Sequence, residues 1–440
     1  MPPTSDSPFR GASSLIGVLR VQGGRQRRGA GQSRACLPPR KRLSRTPRAG
    51  LKPTGIPTGT LLAREETHDR TDRRVGTDVG ARLAAADSMT RVPPSVSSES
   101  CLGGPLSDQR ILDPRGRGLV HLERMIPGPD GGASELFLSG WQPARMRPGE
   151  GPPPLLCVHG STFPGHATFD LPLDGVSFLE LLAALGQPAY AVDLPSYGRS
   201  QRSNAMERGP SASPPQTRSP EAMAAVAAAL NVLRRETGHA RIALLGWSWG
   251  AALCAALAGQ DPDAVARLVL VGPQWFHERP PIIAPGATSI GAYRWVPLPD
   301  MRPRRMNGTP PSEHESLVPD AWLETWERAV LDSDPVARFR TPPAIRAPNG
   351  TIQDSLDSWC IGDVPYDPKA VRAPSLLVVG EWDQETPPDQ ARGLFHALSS
   401  AQVRRLVLLG RAGHWTVLDR RRNELVHCVH SFLSERLEAS

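Results

Sequence analysis

The chain has 440 residues, a formal net charge of +7 and six cysteines, and 39% of it is apolar. No run approaches the roughly 20 apolar residues that span a bilayer, which excludes a transmembrane segment. The cysteines are scattered with no CxxC pair and read as small buried hydrophobes in a reducing compartment, not as a disulfide or zinc framework.

The charge is uneven along the chain. Residues 1–90 hold 17 Lys and Arg against 7 Asp and Glu, a net of +10, while the remainder holds 34 against 37, a net of −3. No acidic residue occurs between Asp6 and Glu65. This stretch has little apolar periodicity, so residues 1–90 are expected to be a disordered basic tail. Three origins fit it: an over-long start with Met89 the true one, an Arg-rich organelle transit segment, or a tail for nucleic acid or a membrane surface. The run Leu15-Ile16-Gly17-Val18-Leu19 is too short for the core of a signal peptide.

From there the chain alternates. Strands are predicted near 119–126, 134–140, 155–159, 188–193, 241–246, 267–272, 374–379 and 404–409. Helices are predicted near 177–186, 220–237, 249–259, 388–399 and 423–437. This pattern predicts an α/β fold, with a mostly parallel eight-stranded sheet, helices on both faces and an antiparallel first edge. The Pro- and Ser-rich segment 201–218 reads as a surface loop. Residues 274–366 interrupt the alternation after Gly272-Pro273. Their first part, 279–311, reads as irregular, and Pro319 to Leu331 carries apolar residues at helical spacing.

The chemistry concentrates at Gly246-Trp247-Ser248-Trp249-Gly250. An apolar strand precedes it and a small-residue helix follows. Such a turn holds the serine in strained dihedrals and aims its hydroxyl out of the sheet edge. The helix N-terminus favours the negative charge of an acyl-transfer intermediate. After the strand at 374–379 comes Gly380-Glu381-Trp382-Asp383, and after that at 404–409 comes Gly410-Arg411-Ala412-Gly413-His414. Ser248, Asp383 and His414 thus follow in the order serine, acid, histidine. Ser248 is the candidate nucleophile, His414 the base and Asp383 the group that orients it; Glu381 is the alternative acid. The strand at 155–159 ends in His159-Gly160-Ser161. The Ser161 and Trp249 backbone N–H groups are the candidate oxyanion donors, and His159 is expected to tie loops together. His427 and His430 read as ordinary helix residues.

In this setting the chain resembles the α/β-hydrolase fold superfamily, in its cap-bearing branch of carboxylesterases, carbon–carbon bond hydrolases, haloperoxidase-like enzymes and proline iminopeptidases. The resemblance rests on His159-Gly160, Asp193-Leu194-Pro195 with Gly198-Arg199-Ser200, Gly246 to Gly250, Asp383 and His414, and it covers residues 115–438. It implies that 274–366 is a cap inserted into the 115–438 domain. Haloalkane dehalogenases and epoxide hydrolases carry Asp where this chain has Ser248. The glycine-rich first box of proline iminopeptidases is replaced here by Gly160-Ser161-Thr162-Phe163-Pro164.

Tryptophans flank the candidate loops, which suggests an aromatic-lined pocket. Phe163, Trp275, Trp322, Trp326 and Trp415 are its expected walls, with the Trp249 ring beside them; Trp247 and Trp382 alternatively pack into the sheet edge. Arg302, Arg304 and Arg305 are either a substrate-carboxylate clamp or a solvated loop. No HExxH, EF-hand or phosphate loop occurs, so no metal or other cofactor is expected. The expected function is a cytoplasmic serine hydrolase for a small to medium apolar ester. Carbon–carbon bond cleavage, amide cleavage and a non-catalytic role are the alternatives. The partner is a small molecule, with no nucleic acid required.

Overall fold

The computed structural model describes residues 118–276 and 290–437, with Gly116 and the short strands Val18–Leu19 and Gln109–Leu112. The strands are β1 (Val18–Leu19), β2 (Gln109–Leu112), β3 (Leu119–Pro127), β4 (Glu135–Pro143), β5 (Leu155–Val158), β6 (Ala189–Val192), β7 (Ile242–Trp247), β8 (Val265–Val271), β9 (Tyr293–Pro297), β10 (Ala344–Pro348), β11 (Ser375–Gly380) and β12 (Arg404–Leu409). Among the described residues, ten of them form one sheet in the order β1-β12-β11-β8-β7-β5-β6-β4-β3-β2. Neighbours from β12 across to β6 are parallel, and β4, β3 and β2 make the antiparallel edge.

The eight predicted strands are all present, and the sheet gains β1 and β2. Most of the tail lies outside the described residues. Within it, Val18 and Leu19 pair with Val407 and Leu406 of β12, where the sequence predicts disorder. An open sheet edge offers unpaired backbone groups, and this is the most β-prone stretch of the tail.

Central strands bury both faces, so alternate residues serve different cores. Leu155, Cys157, Ala243 and Leu245 face the helices Phe178–Ala184 and Arg422–Ser434. Leu156, Val158, Ile242 and Leu244 face Ser219–Thr237, Trp249–Gln260 and Pro388–Ala397. The helix at 178 starts where Ser177 accepts the Glu180 N–H and the Glu180 carboxylate accepts the Ser177 N–H. That reciprocal pair satisfies two donors that a helix end leaves free. Cys157 and Cys254 are buried free thiols. No described helix is long and apolar enough to cross a membrane.

Between β8 and β11 the sheet is interrupted by an insertion; its residues 277–289 lie outside the described ones. Tyr293–Pro297, expected to be irregular, is a strand paired antiparallel with β10. Its residue types favour a strand, but its partner is remote in sequence and its flanks are rich in Pro and Arg. The helix Asp320–Asp332 buries Trp322, Leu323, Trp326 and Val330, the apolar stripe predicted for it. These side chains join the same core as Phe163 and Trp415.

Candidate active site

Ser248 lies between the end of β7 and the helix Trp249–Gln260, at φ 59° and ψ −119°. A non-glycine residue there is strained by about 1–3 kcal/mol. The flanking glycines permit the turn. A Cβ on Gly246 would lie 2.2 Å from the Gly250 carbonyl oxygen, and one on Gly250 would lie 2.3 Å from that of Val158. Trp249 opens the helix, so its N–H is among the donors that have no partner within the helix.

The acid loop and the histidine loop meet below β11 and β12. His414 Nδ1 lies 2.8 Å from Asp383 Oδ2, and both residues are buried. Asp383 is fixed by a turn of its own: its Oδ1 accepts the Glu385 and Thr386 N–H groups, and its Oδ2 accepts the Thr386 hydroxyl. With Nδ1–H donating to Asp383, a neutral His414 carries its free lone pair on Nε2. Gly272, at φ 48°, makes room for this junction; a Cβ there would sit 3.1 Å from Asp383 Oδ2 and 3.2 Å from His414 Nδ1. Glu381 faces elsewhere and accepts the Arg411 N–H through Oε2.

A further carboxylate reaches the other side of the imidazole. Glu385 Oε2 lies 3.9 Å from His414 Nε2. Arg304 clasps Glu385 with two bonds, 3.0 and 2.6 Å, and the Trp415 indole N–H donates to it. Burial opposes a charged His414, but Asp383 and then Glu385 outweigh it, so its pKa lies above the ordinary value. Burial likewise opposes an ionised Glu385, and Arg304 and His414 outweigh it, which holds the carboxyl below its usual range.

Gly160, Ser161, Thr162, Phe163, Trp247, Ser248, Arg304, His414 and Trp415 surround one cavity of about 10 Å³, room for about one water. Ser248, His414 and Ser161 thus meet at a single space, with Asp383 behind the imidazole. The Ser161 loop is tied down by the Tyr197 hydroxyl and by Arg294 of the insertion, both donating to the Ser161 carbonyl. His159 bridges loops: its Nδ1 lies 2.7 Å from the Gly160 carbonyl and its Nε2 accepts the Leu194 N–H. Burial lowers its pKa to about 4, so it is neutral at pH 7.

The expected pocket walls divide. Phe163 and Trp415 line the cavity, and Trp326 stands behind them with its ring 4.8 Å from Phe163 and 5.7 Å from Trp415. Trp275, Trp322 and the Trp249 ring do not line it. Trp275 packs near Tyr366 and Gly393. Trp322 donates to Asp174 beneath Arg422. The Trp249 indole donates to Ser219 on the helix behind. Trp247 instead lines the cavity and donates to the His414 carbonyl.

Of the three arginines, Arg302 pairs with Asp320, Arg304 with Glu385, and Arg305 donates to the Leu418 carbonyl over the Trp326 ring. Thr386, Glu385, Tyr197 and Arg294 escaped sequence reasoning. Asp383-Gln384-Glu385-Thr386 does carry a signal for two of them, since an Asp commonly accepts backbone N–H groups two and three residues on.

A family model described as the alpha/beta hydrolase family matches residues 155–427. The chain belongs to the alpha/beta hydrolase family. No curated protein matches it. Solved structures similar to this α/β-hydrolase include a serine hydrolase from the polyaromatic-hydrocarbon-degrading bacterium Cycloclasticus zankles, at 14% identity and a TM-score of 0.49, over 72% of this chain and 100% of that one. They also include a thermophilic esterase from Thermogutta terrifontis, at 18% identity and a TM-score of 0.46, over 71% and 97%. A third is 2-hydroxy-6-oxo-6-phenylhexa-2,4-dienoate hydrolase from Rhodococcus sp. strain RHA1, at 16% identity and a TM-score of 0.47, over 75% and 100%.

Proposed function

We propose that this α/β-hydrolase is a serine hydrolase that cleaves a carboxylic ester of a small to medium apolar molecule through an acyl-enzyme. The observation that carries the proposal is the buried His414–Asp383 bond of 2.8 Å beside a strained elbow serine that lines the same cavity. Ser248 attacks the ester carbonyl, and His414 Nε2 takes its proton and returns it to the leaving alcohol. Water, activated by the same imidazole, then releases the acid. The Ser161 and Trp249 N–H groups hold the oxyanion, each donor contributing about 3 kcal/mol of barrier lowering. Phe163, Trp247 and Trp415 supply an apolar wall for the acyl or alcohol group. Cys157 and Cys254, buried and unpaired, support a cytoplasmic setting.

A fluorophosphonate probe tests the class, and a panel of p-nitrophenyl esters run beside amides and vinylogous diketones tests the bond. Labelling at Ser248 with esters preferred is the expected result. Preference for amides or diketones overturns the ester assignment.

Asp383 and then Glu385 set the pH dependence through His414. Because His414 is held above the ordinary histidine value of about 6.5, kcat/KM on esters should rise with pH through a midpoint above that value. Glu385→Gln removes one of the charges that favour the imidazolium, so the midpoint should fall. An unchanged pH profile in the variant would refute this role.

The insertion acts as a lid whose Trp326 backs the cavity. Trp326→Ala should cost about 3–5 kcal/mol of stability and shift the preferred ester toward longer chains, because it frees space behind Phe163 and Trp415. Trp322→Ala should cost stability with the ester preference unchanged. Rates across a chain-length series, with thermal midpoints, check both; a fixed preference in Trp326→Ala would sink the lid role.

A further inference from the structure

The Ser161 N–H is aimed by the two peptide planes that meet at the Ser161 Cα. The first plane carries the Gly160 carbonyl and the N–H itself, so whatever holds that carbonyl also holds the donor. His159 does so. Its Nε2 accepts the Leu194 N–H, which leaves the ring proton on Nδ1, 2.7 Å from the Gly160 oxygen. The second plane carries the Ser161 carbonyl, which accepts from the Tyr197 hydroxyl at 2.9 Å and from Arg294 Nη2 at 3.2 Å. With both planes held, the backbone dihedrals of Ser161 have little freedom left.

Of these three holders, Arg294 alone comes from the insertion, where it stands on β9. Its fork bridges two segments. Nη2 also donates to the Thr162 hydroxyl at 3.0 Å. Nη1 donates to the Pro348 carbonyl at 2.9 Å and to Asn349 Oδ1 at 3.3 Å, at the end of β10. These acceptors are all neutral, and no carboxylate among the described residues pairs with Arg294. Burial pulls its pKa down to about 10, so it remains a cation at pH 7. A charged donor bonds a carbonyl more strongly than a neutral one does. That stronger grip falls on Ser161 and Thr162, both of which line the Ser248 cavity.

From these bonds we propose that Arg294 is a positioning residue for acyl transfer, through which the insertion sets the aim of the Ser161 N–H. This role rests on the serine-hydrolase reading given above, in which that N–H holds the oxyanion. Arg294 touches no substrate atom. It acts through the Ser161 carbonyl, so its loss should weaken binding of the tetrahedral state more than binding of the substrate.

A trifluoromethyl ketone, the methyl ketone of the same chain and a p-nitrophenyl ester are the probes. On the fluorinated ketone the Ser248 Oγ–C bond forms, the carbonyl π pair becomes an alkoxide and the serine proton passes to His414. Its affinity therefore reports the oxyanion site, while the methyl ketone reports ground-state binding. Wild-type protein that neither turns over the ester nor takes the fluorinated ketone removes the serine-hydrolase reading, and this role with it. With the wild type active, Arg294→Gln should lower kcat about tenfold to a hundredfold, less than the loss of a whole donor, with KM held within about twofold. The fluorinated ketone should weaken by the same factor while the methyl ketone holds. Arg294→Lys, which keeps the charge but not the planar fork, should fall between wild type and Arg294→Gln. Thr162→Val keeps the arginine and removes one acceptor, and should lower the affinity ratio of the two ketones about twofold to fivefold. The role is overturned if folded Arg294→Gln keeps its kcat, if its loss lies in KM alone, or if it binds the fluorinated ketone as tightly as wild type does. Should the Arg294 variants not fold, an unchanged ketone ratio in Thr162→Val overturns it.

Discussion

Replacing Ser248 by alanine should cost on the order of 10⁶ in kcat on the best p-nitrophenyl ester, with the fold retained. The loss is large because serine and histidine act as one unit, so removing the attacking oxygen leaves only the oxyanion donors and binding. The fold should survive because the turn is set by its surroundings. Gly246 and Gly250 bring strand and helix together, and the Ser248 N–H is held by the Val271 carbonyl. Alanine keeps the Cβ and needs no new space. Circular dichroism and the thermal midpoint check the fold, and single-turnover kinetics check the chemistry. A folded variant with near-native rates would mean that another group attacks.

The second large effect is at the acid. Asp383→Asn should lower kcat on the order of 10⁴, because an amide NH₂ facing His414 Nδ1 stabilises the tautomer whose Nε2 carries the proton and cannot act as a base. Glu381→Gln should change kcat little. Its carboxylate accepts the Arg411 N–H and does not touch the imidazole. Its loss should instead appear as a modest drop in stability of the histidine loop. Measuring kcat for both variants on one ester decides the matter; a greater loss at Glu381 would reverse the roles.

The sheet was legible because its parallel strands are buried on both faces. Leu155–Val158, Ile242–Trp247 and Ser375–Gly380 stand out as apolar runs ending at turns. The elbow was legible for a related reason: a serine between glycines, strand before and helix after, has few other uses. The directions of aromatic side chains were not legible. Trp247 and Trp249 both adjoin Ser248, yet one ends a strand and the other begins a helix, so their rings leave on different sides. The pairing of Arg304 with Glu385 was also out of reach. Arg304 sits on the short helix Met301–Arg305 of the insertion and Glu385 on the loop after β11, and no spacing in the sequence announces such a pair. Tyr293–Pro297 pairs with a strand far along the chain, and a local pattern cannot see that partner.

The space beside Ser248 has room for about one water, yet the serine itself is only half-buried. A substrate carbonyl can therefore come to the hydroxyl from outside, while little else of the molecule fits between Arg304, Phe163 and Trp415. If the proposed reaction holds, most of the acyl and alcohol groups rest on the rim, and their girth is weighed there. Water is the one visitor that the inner space already fits.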